Sequence, residues 1–92
     1  MTRHILFALG QVVATKNALE LMNQHDIPPL DLLHRHQHGD WGDLNKADQE
    51  ANKQALIEDH RIFSSYDFGN EKVWVITEAD RSITTILLPI DY

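Results

Sequence analysis

The apolar positions change their spacing along this chain, and each spacing predicts a different element. From His4 to Val13 the run Ile5-Leu6-Phe7-Ala8-Leu9 passes through Gly10 into Val12-Val13, which predicts a first strand with a glycine irregularity. Thr15 then caps a helix in which Ala18, Leu19 and Met22 recur at the three- and four-residue intervals that share one face. Pro28-Pro29 breaks it. Because proline is tolerated in a first turn, the same pair opens a second helix, with Leu30 and Leu33 as its buried stripe and Gly39 at its C-terminal cap. A tight turn, Gly39-Asp40-Trp41-Gly42-Asp43, leads to Asn45, the N-cap of a third helix with Asp48 in its first turn and Ala47, Ala51 and Ala55 along one side.

After Asp59 the period falls to two, through Ile62, Ser64 and Tyr66, then Val73, Val75 and Thr77, then Ile83, Thr85 and Leu87. Turn residues join these strands at Asp67–Glu71 and at Glu78–Arg81, so an antiparallel meander is expected, ended by Pro89. The order β-α-α-α-β-β-β predicts an α+β fold of two layers, with about three short helices on one face of a mainly antiparallel four-stranded sheet. One unit is expected from Met1 to Tyr92, with the place of the first strand open.

Composition narrows the function classes. The chain has 92 residues and no cysteine, which excludes a disulfide scaffold, a thiol nucleophile and a Cys-ligated metal. Its apolar runs fall far short of the roughly 20 residues of a membrane span, and a cytoplasmic, non-membrane protein is expected. Eight Lys and Arg against fourteen Asp and Glu give a formal charge of −6, and the basic residues are scattered, which argues against direct nucleic-acid binding.

Two longer motifs carry a resemblance. Arg35-His36-x-x-Gly39-Asp40-Trp41-Gly42-x-Leu44 and Trp74-x-Ile76-Thr77-Glu78-Ala79-Asp80-Arg81-Ser82-x-Thr84-Thr85-x-Leu87-Leu88-Pro89-x-Asp91-Tyr92, with Arg61-x-x-Ser64-x-Tyr66 between them, resemble a family of short bacterial proteins. That family looks like plasmid, phage and island cargo, and some members bear the label type I restriction endonuclease subunit M. The resemblance implies a genetic neighbourhood and no activity. A methyltransferase subunit requires a cofactor-binding domain that 92 residues cannot hold, and no Gly-rich fingerprint follows a strand here. His34 and His38 are additions around the matching His36.

Three features could carry chemistry. His34-Arg35-His36-Gln37-His38-Gly39-Asp40 combines imidazoles and a carboxylate, but on a helix His34 and His38 share a face while His36 points elsewhere, so no metal site is expected. Glu78, Asp80 and Arg81 at the hairpin turn could face His36, Asp40 and Trp41. Such a set could support acid–base hydrolysis with Arg81 holding an anion, or could simply fix the fold, with Asp80 in the turn and Arg81 paired to Glu78 or Asp40. Finally, six acids between Asp40 and Asp59 face two lysines, a candidate docking surface.

The expected function is therefore a small acidic, non-enzymatic interaction protein of a mobile genetic element, binding a host or element-encoded protein and modulating or inhibiting a defence or nucleic-acid-processing protein. Its expected binding cluster is His36, Asp40, Trp41, Asp43, Glu78, Asp80 and Arg81, with Trp41 as aromatic anchor and no cofactor. The alternative is a small hydrolase or anion- or nucleotide-binding domain using His36, Asp40, Glu78, Asp80 and Arg81. A run such as Ile83 to Ile90 at a sheet edge could pair with a second copy.

Overall fold

The computed structural model describes residues 5–92. Its elements are β1 (Gln11–Ala14), α1 (Lys16–Gln24), α2 (Pro29–Gln37), α3 (Lys46–Glu58), β2 (Ile62–Phe68), β3 (Glu71–Thr77), β4 (Ile83–Leu87) and a closing 3-10 turn, Pro89–Asp91. This is the expected α+β order. The caps also sit where the sequence puts them: Thr15 Oγ1 accepts from the Ala18 N–H at 3.1 Å and Asn45 Oδ1 from the Asp48 N–H at 2.8 Å.

The sheet runs β1-β4-β3-β2 and is mixed rather than purely antiparallel. β2, β3 and β4 form the meander, whereas β1 lies parallel to β4, with Gln11 beside Ile83 and Ala14 beside Ile86. A parallel neighbour needs a long crossover, and here α1, α2, α3, β2 and β3 supply it. β4 is consequently internal. The segment expected to offer an edge to a second copy has neighbours on both sides, and the edges are β1 and β2.

Strand pairing sorts the side chains onto two faces. Ile62, Ser64 and Tyr66 line up with Thr77, Val75 and Val73, and these with Thr84 and Ile86 of β4. Ala18, Leu21 and Met22 of α1 and Leu32 and Leu33 of α2 pack on this inner face to form the main core with Tyr66, Val73, Val75 and Ile86. A smaller cluster joins Phe7, Trp41, Ala55 and Ile62 where α3 meets the β2 edge.

Several expected core positions shift. In β4 the inward residues are Thr84 and Ile86, because pairing to β3 turns Ile83, Thr85 and Leu87 to the other face. Leu21 and Leu32 are buried where Leu19 and Leu30 were expected, and Asn52 and Ala55 face inward on α3 while Ala47 and Ala51 are exposed. The first strand is shorter than its apolar run. Gly10, at φ +66° and so close to the turn before β4 that a Cβ would lie 2.3 Å from the Ser82 carbonyl, directly precedes β1, and residues 5–9 run outside the sheet. Phe7 inserts there into the smaller core; His4 lies outside the described residues.

Candidate functional site

The predicted cluster disperses into separate structural assemblies. The deepest is centred on His36, which α2 directs inward while His34 and His38 stack together outside with ring centroids 4.2 Å apart. His36 Nδ1 lies 2.5 Å from Ser64 Oγ, and Nε2 lies 2.9 Å from Thr77 Oγ1. Thr77 Oγ1 lies 2.7 Å from Thr84 Oγ1, which donates to the Leu9 carbonyl at 2.7 Å. A hydrogen-bonded chain thus crosses three strands, from β2 through α2's imidazole to β3, β4 and the segment before β1. All four of its side chains are fully buried.

That environment fixes the protonation state. Burial, reinforced by the Arg81 charge, lowers the His36 pKa from 6.5 to about 3. The imidazole is neutral at neutral pH, with both ring nitrogens occupied by hydroxyls, and Phe7 packs edge-on against it at 5.1 Å. A general base must reach its substrate proton. His36 faces only the interior.

Arg81 is nearby and equally committed. At φ +61° it sits in the left-handed region, and its guanidinium donates to the carbonyls of His60 (2.6 Å), Ala55 (3.1 Å), Glu78 (3.2 Å) and Ala79 (3.3 Å). It thereby ties the C-terminal end of α3 to the β3–β4 turn, a place where a cation also suits the helix dipole. The expected partners for it are otherwise engaged: Glu78 pairs with Arg61 at 3.1 Å, and Asp40 accepts from Arg35 through both oxygens, at 2.7 and 3.2 Å. Asp80 accepts from the N–H and hydroxyl of Ser82 within the turn, which lowers its pKa.

The Asp40–Asp43 turn also builds structure. Arg35 lies 4.5 Å over the Tyr66 ring, and the Tyr66 hydroxyl donates to the Asp40 carbonyl at 2.7 Å, while burial pushes that phenol up to about 12. Trp41 is 7% exposed and belongs to the smaller core. It is therefore a core side chain and not a protruding anchor. Its carbonyl accepts from Ser65 N–H at 3.1 Å, Asp43 N–H donates to Ser65 C=O at 2.7 Å, and Asp43 Oδ2 accepts from Asp67 N–H at 2.9 Å. Asn52 adds a two-way clasp on Phe63, at 2.7 and 3.1 Å. Together these close the free edge of β2, with Gly42 at φ +79° so that the loop approaches Ser65 without a Cβ clash.

Among the described residues, no three His, Asp or Glu side chains could hold a metal ion together. No helix among them is long and apolar enough to cross a membrane.

What sequence reasoning passed over lies on the outer sheet face. Phe63 and Trp74 meet edge to face at 5.1 Å, Trp74 and Tyr92 at 5.9 Å, and the Tyr92 hydroxyl accepts from Arg61 at 3.2 Å. With Ile76 these residues line a recess of about 280 Å³. No helix core cluster includes this face. The signal was present in β3, where Val73-Trp74-Val75-Ile76 is apolar on both faces, unlike a strand with one solvated side.

No family model, curated protein or solved structure matches this chain.

Proposed function

We propose that this chain is a small acidic, non-enzymatic interaction protein of a mobile genetic element, which binds a host or element-encoded protein and modulates a defence or nucleic-acid-processing function. One observation carries this reading: the polar side chains that could have formed a reactive centre are spent on internal contacts, while an aromatic recess with arginine at its rim opens on the outer sheet face. His36 is sealed in the core, Arg81 holds backbone carbonyls, and Glu78 holds Arg61. Trp, Tyr and Arg are the residue types that dominate binding energy at protein interfaces. Trp74, Tyr92 and Arg61 supply all three around one recess.

The partner surface this face suits is apolar at its centre, and the formal charge of −6 favours a basic surround by speeding encounter. The resemblance to mobile-element proteins supplies the biological setting. The same internal commitments give the hydrolase or nucleotide-binding alternative no support, since His36 is buried and Arg81 donates to four backbone carbonyls.

The test is affinity capture of the tagged full chain from a native bacterial host, with Trp74→Ser and Asp80→Ala beside it and folding checked by circular dichroism. A stoichiometric partner retained by Asp80→Ala and lost by Trp74→Ser is expected. Identical captures by wild type and Trp74→Ser, or none, would overturn the assignment of this face.

A further inference from the structure

The run of alternating histidines on α2 is divided by the helix. His36 goes inward, and His34 and His38 are left as neighbours on the outer side of the last turn, with ring centroids 4.2 Å apart and planes inclined by 37°. His34 is exposed and His38 half-buried.

One contact sets the chemistry of this pair. His38 Nδ1 lies 2.7 Å from the His34 carbonyl. A carbonyl oxygen can only accept, so Nδ1 carries the proton, and in the neutral ring the lone pair is left at Nε2. Metal-ligating histidines are oriented in this way: the nitrogen that does not bind the ion donates to a carbonyl, which fixes the tautomer and the direction of the ring. No hydrogen bond or ion pair among the described residues engages His38 Nε2 or either ring nitrogen of His34.

The surroundings also suit a cation. The pair sits at the C-terminal end of α2, where the helix dipole favours positive charge. Asp31 lies three residues before His34, on the same side of the helix. Arg35, the nearest basic residue in the sequence, is drawn away, with its guanidinium 2.7 Å from Asp40 and stacked over Tyr66.

We propose that His34 and His38 chelate one divalent transition-metal ion of the class that prefers imidazole nitrogen, of which zinc is a member. Neighbouring imidazoles one helical turn apart can reach a single ion at metal–nitrogen distances of about 2.0–2.1 Å. No third ligating side chain stands with them among the described residues, so the remaining coordination positions belong to water. The inward turn of His36 thus removes one ligand from the three-histidine run and leaves a two-histidine site on the surface.

The test is calorimetric titration of the untagged, metal-stripped full chain with Zn²⁺ at neutral pH. His25 and His60, each beside a single carboxylate, Glu71 at 3.6 Å and Glu58 at 3.8 Å, are the rival sites. One zinc ion per chain is expected. Its affinity should fall by at least about tenfold in His34→Gln and in His38→Gln, since even loss of an outer-shell partner costs that much, and should be unchanged in His25→Gln and His60→Gln. Long-range ¹H–¹⁵N spectra of the wild type, which need no variant to fold, should show zinc moving ring-nitrogen resonances of His34 and His38 together. No binding up to about 1 mM zinc, equal affinity in wild type and both α2 variants, a loss caused by His25→Gln or His60→Gln, or movement of only one of the two rings would overturn the proposal. None of these outcomes involves the Trp74 recess, because α2 packs on the opposite face of the sheet.

Discussion

The Thr77 hydroxyl stands 2.9 Å from His36 Nε2 and 2.7 Å from the Thr84 hydroxyl, so one side chain on β3 links α2 to β4 through the middle of the inner face. A buried polar group left unpaired is costly, and here each imidazole nitrogen has a hydroxyl. Thr77→Val keeps the shape and removes the link. It is expected to destabilise the fold by about 1–3 kcal/mol, read as a lower urea midpoint with an unchanged slope.

The acid limb of the stability curve should report His36. Its pKa in the folded chain, about 3, lies below the ordinary 6.5, so the unfolded chain binds the extra proton between those values. Stability from this group is complete above pH 6.5 and is lost as pH falls toward 3, by up to about 1.4 kcal/mol per unit. Asp80 and Asp91, whose pKa values are lowered from 3.8 by their hydrogen bonds to Ser82 and Thr15, add losses only below about pH 4. Urea midpoints between pH 7 and pH 4.5 should therefore decline in wild type and stay flat in His36→Gln, which will start less stable. An equal slope in both would remove His36 as the cause.

At the β3–β4 turn, Arg81 combines a left-handed backbone with a guanidinium shared among carbonyls. Arg81→Lys keeps the charge and loses the planar fork. A loss of about 1–2 kcal/mol is expected from the missing hydrogen bonds, together with unchanged partner capture. A loss of capture without a loss of stability would instead give Arg81 a binding role.

Closure of the β2 edge makes a different prediction. A Cβ at Gly42 would lie 2.1 Å from the Ser65 carbonyl, so Gly42→Ala should lift the loop off β2. Asn52→Ala removes the clasp on both polar groups of Phe63 and should cost about 1–3 kcal/mol. Each variant exposes a second uncovered edge, and concentration-dependent aggregation measured by light scattering is expected to rise above wild type.

Local chemistry was readable in the sequence and distant pairing was not. Thr15 and Asn45 cap helices because their partners, Ala18 and Asp48, are three residues away, and the inward stripe of β2 and β3 follows from alternation alone. The burial of Trp41, the clasp of Asn52 and the parallel seat of β1 each depend on segments far along the chain. Leu9, for example, meets Thr84 across nearly the whole sequence. His36, Asp40, Glu78 and Arg81 carry suitable functional groups for a reactive centre, but the fold pairs them with Ser64, Arg35, Arg61 and backbone carbonyls instead. The aromatic face was hidden because Phe63, Trp74 and Tyr92 converge only once the sheet is assembled.

The most direct test of the interaction account is photo-crosslinking in the native host from benzoylphenylalanine placed at Phe63 on the outer face and, separately, at Glu50 on α3. The account predicts a covalent adduct containing a second protein species from position 63 and none from position 50. An adduct from position 50 alone, or none from either position with both variants folded, would contradict it.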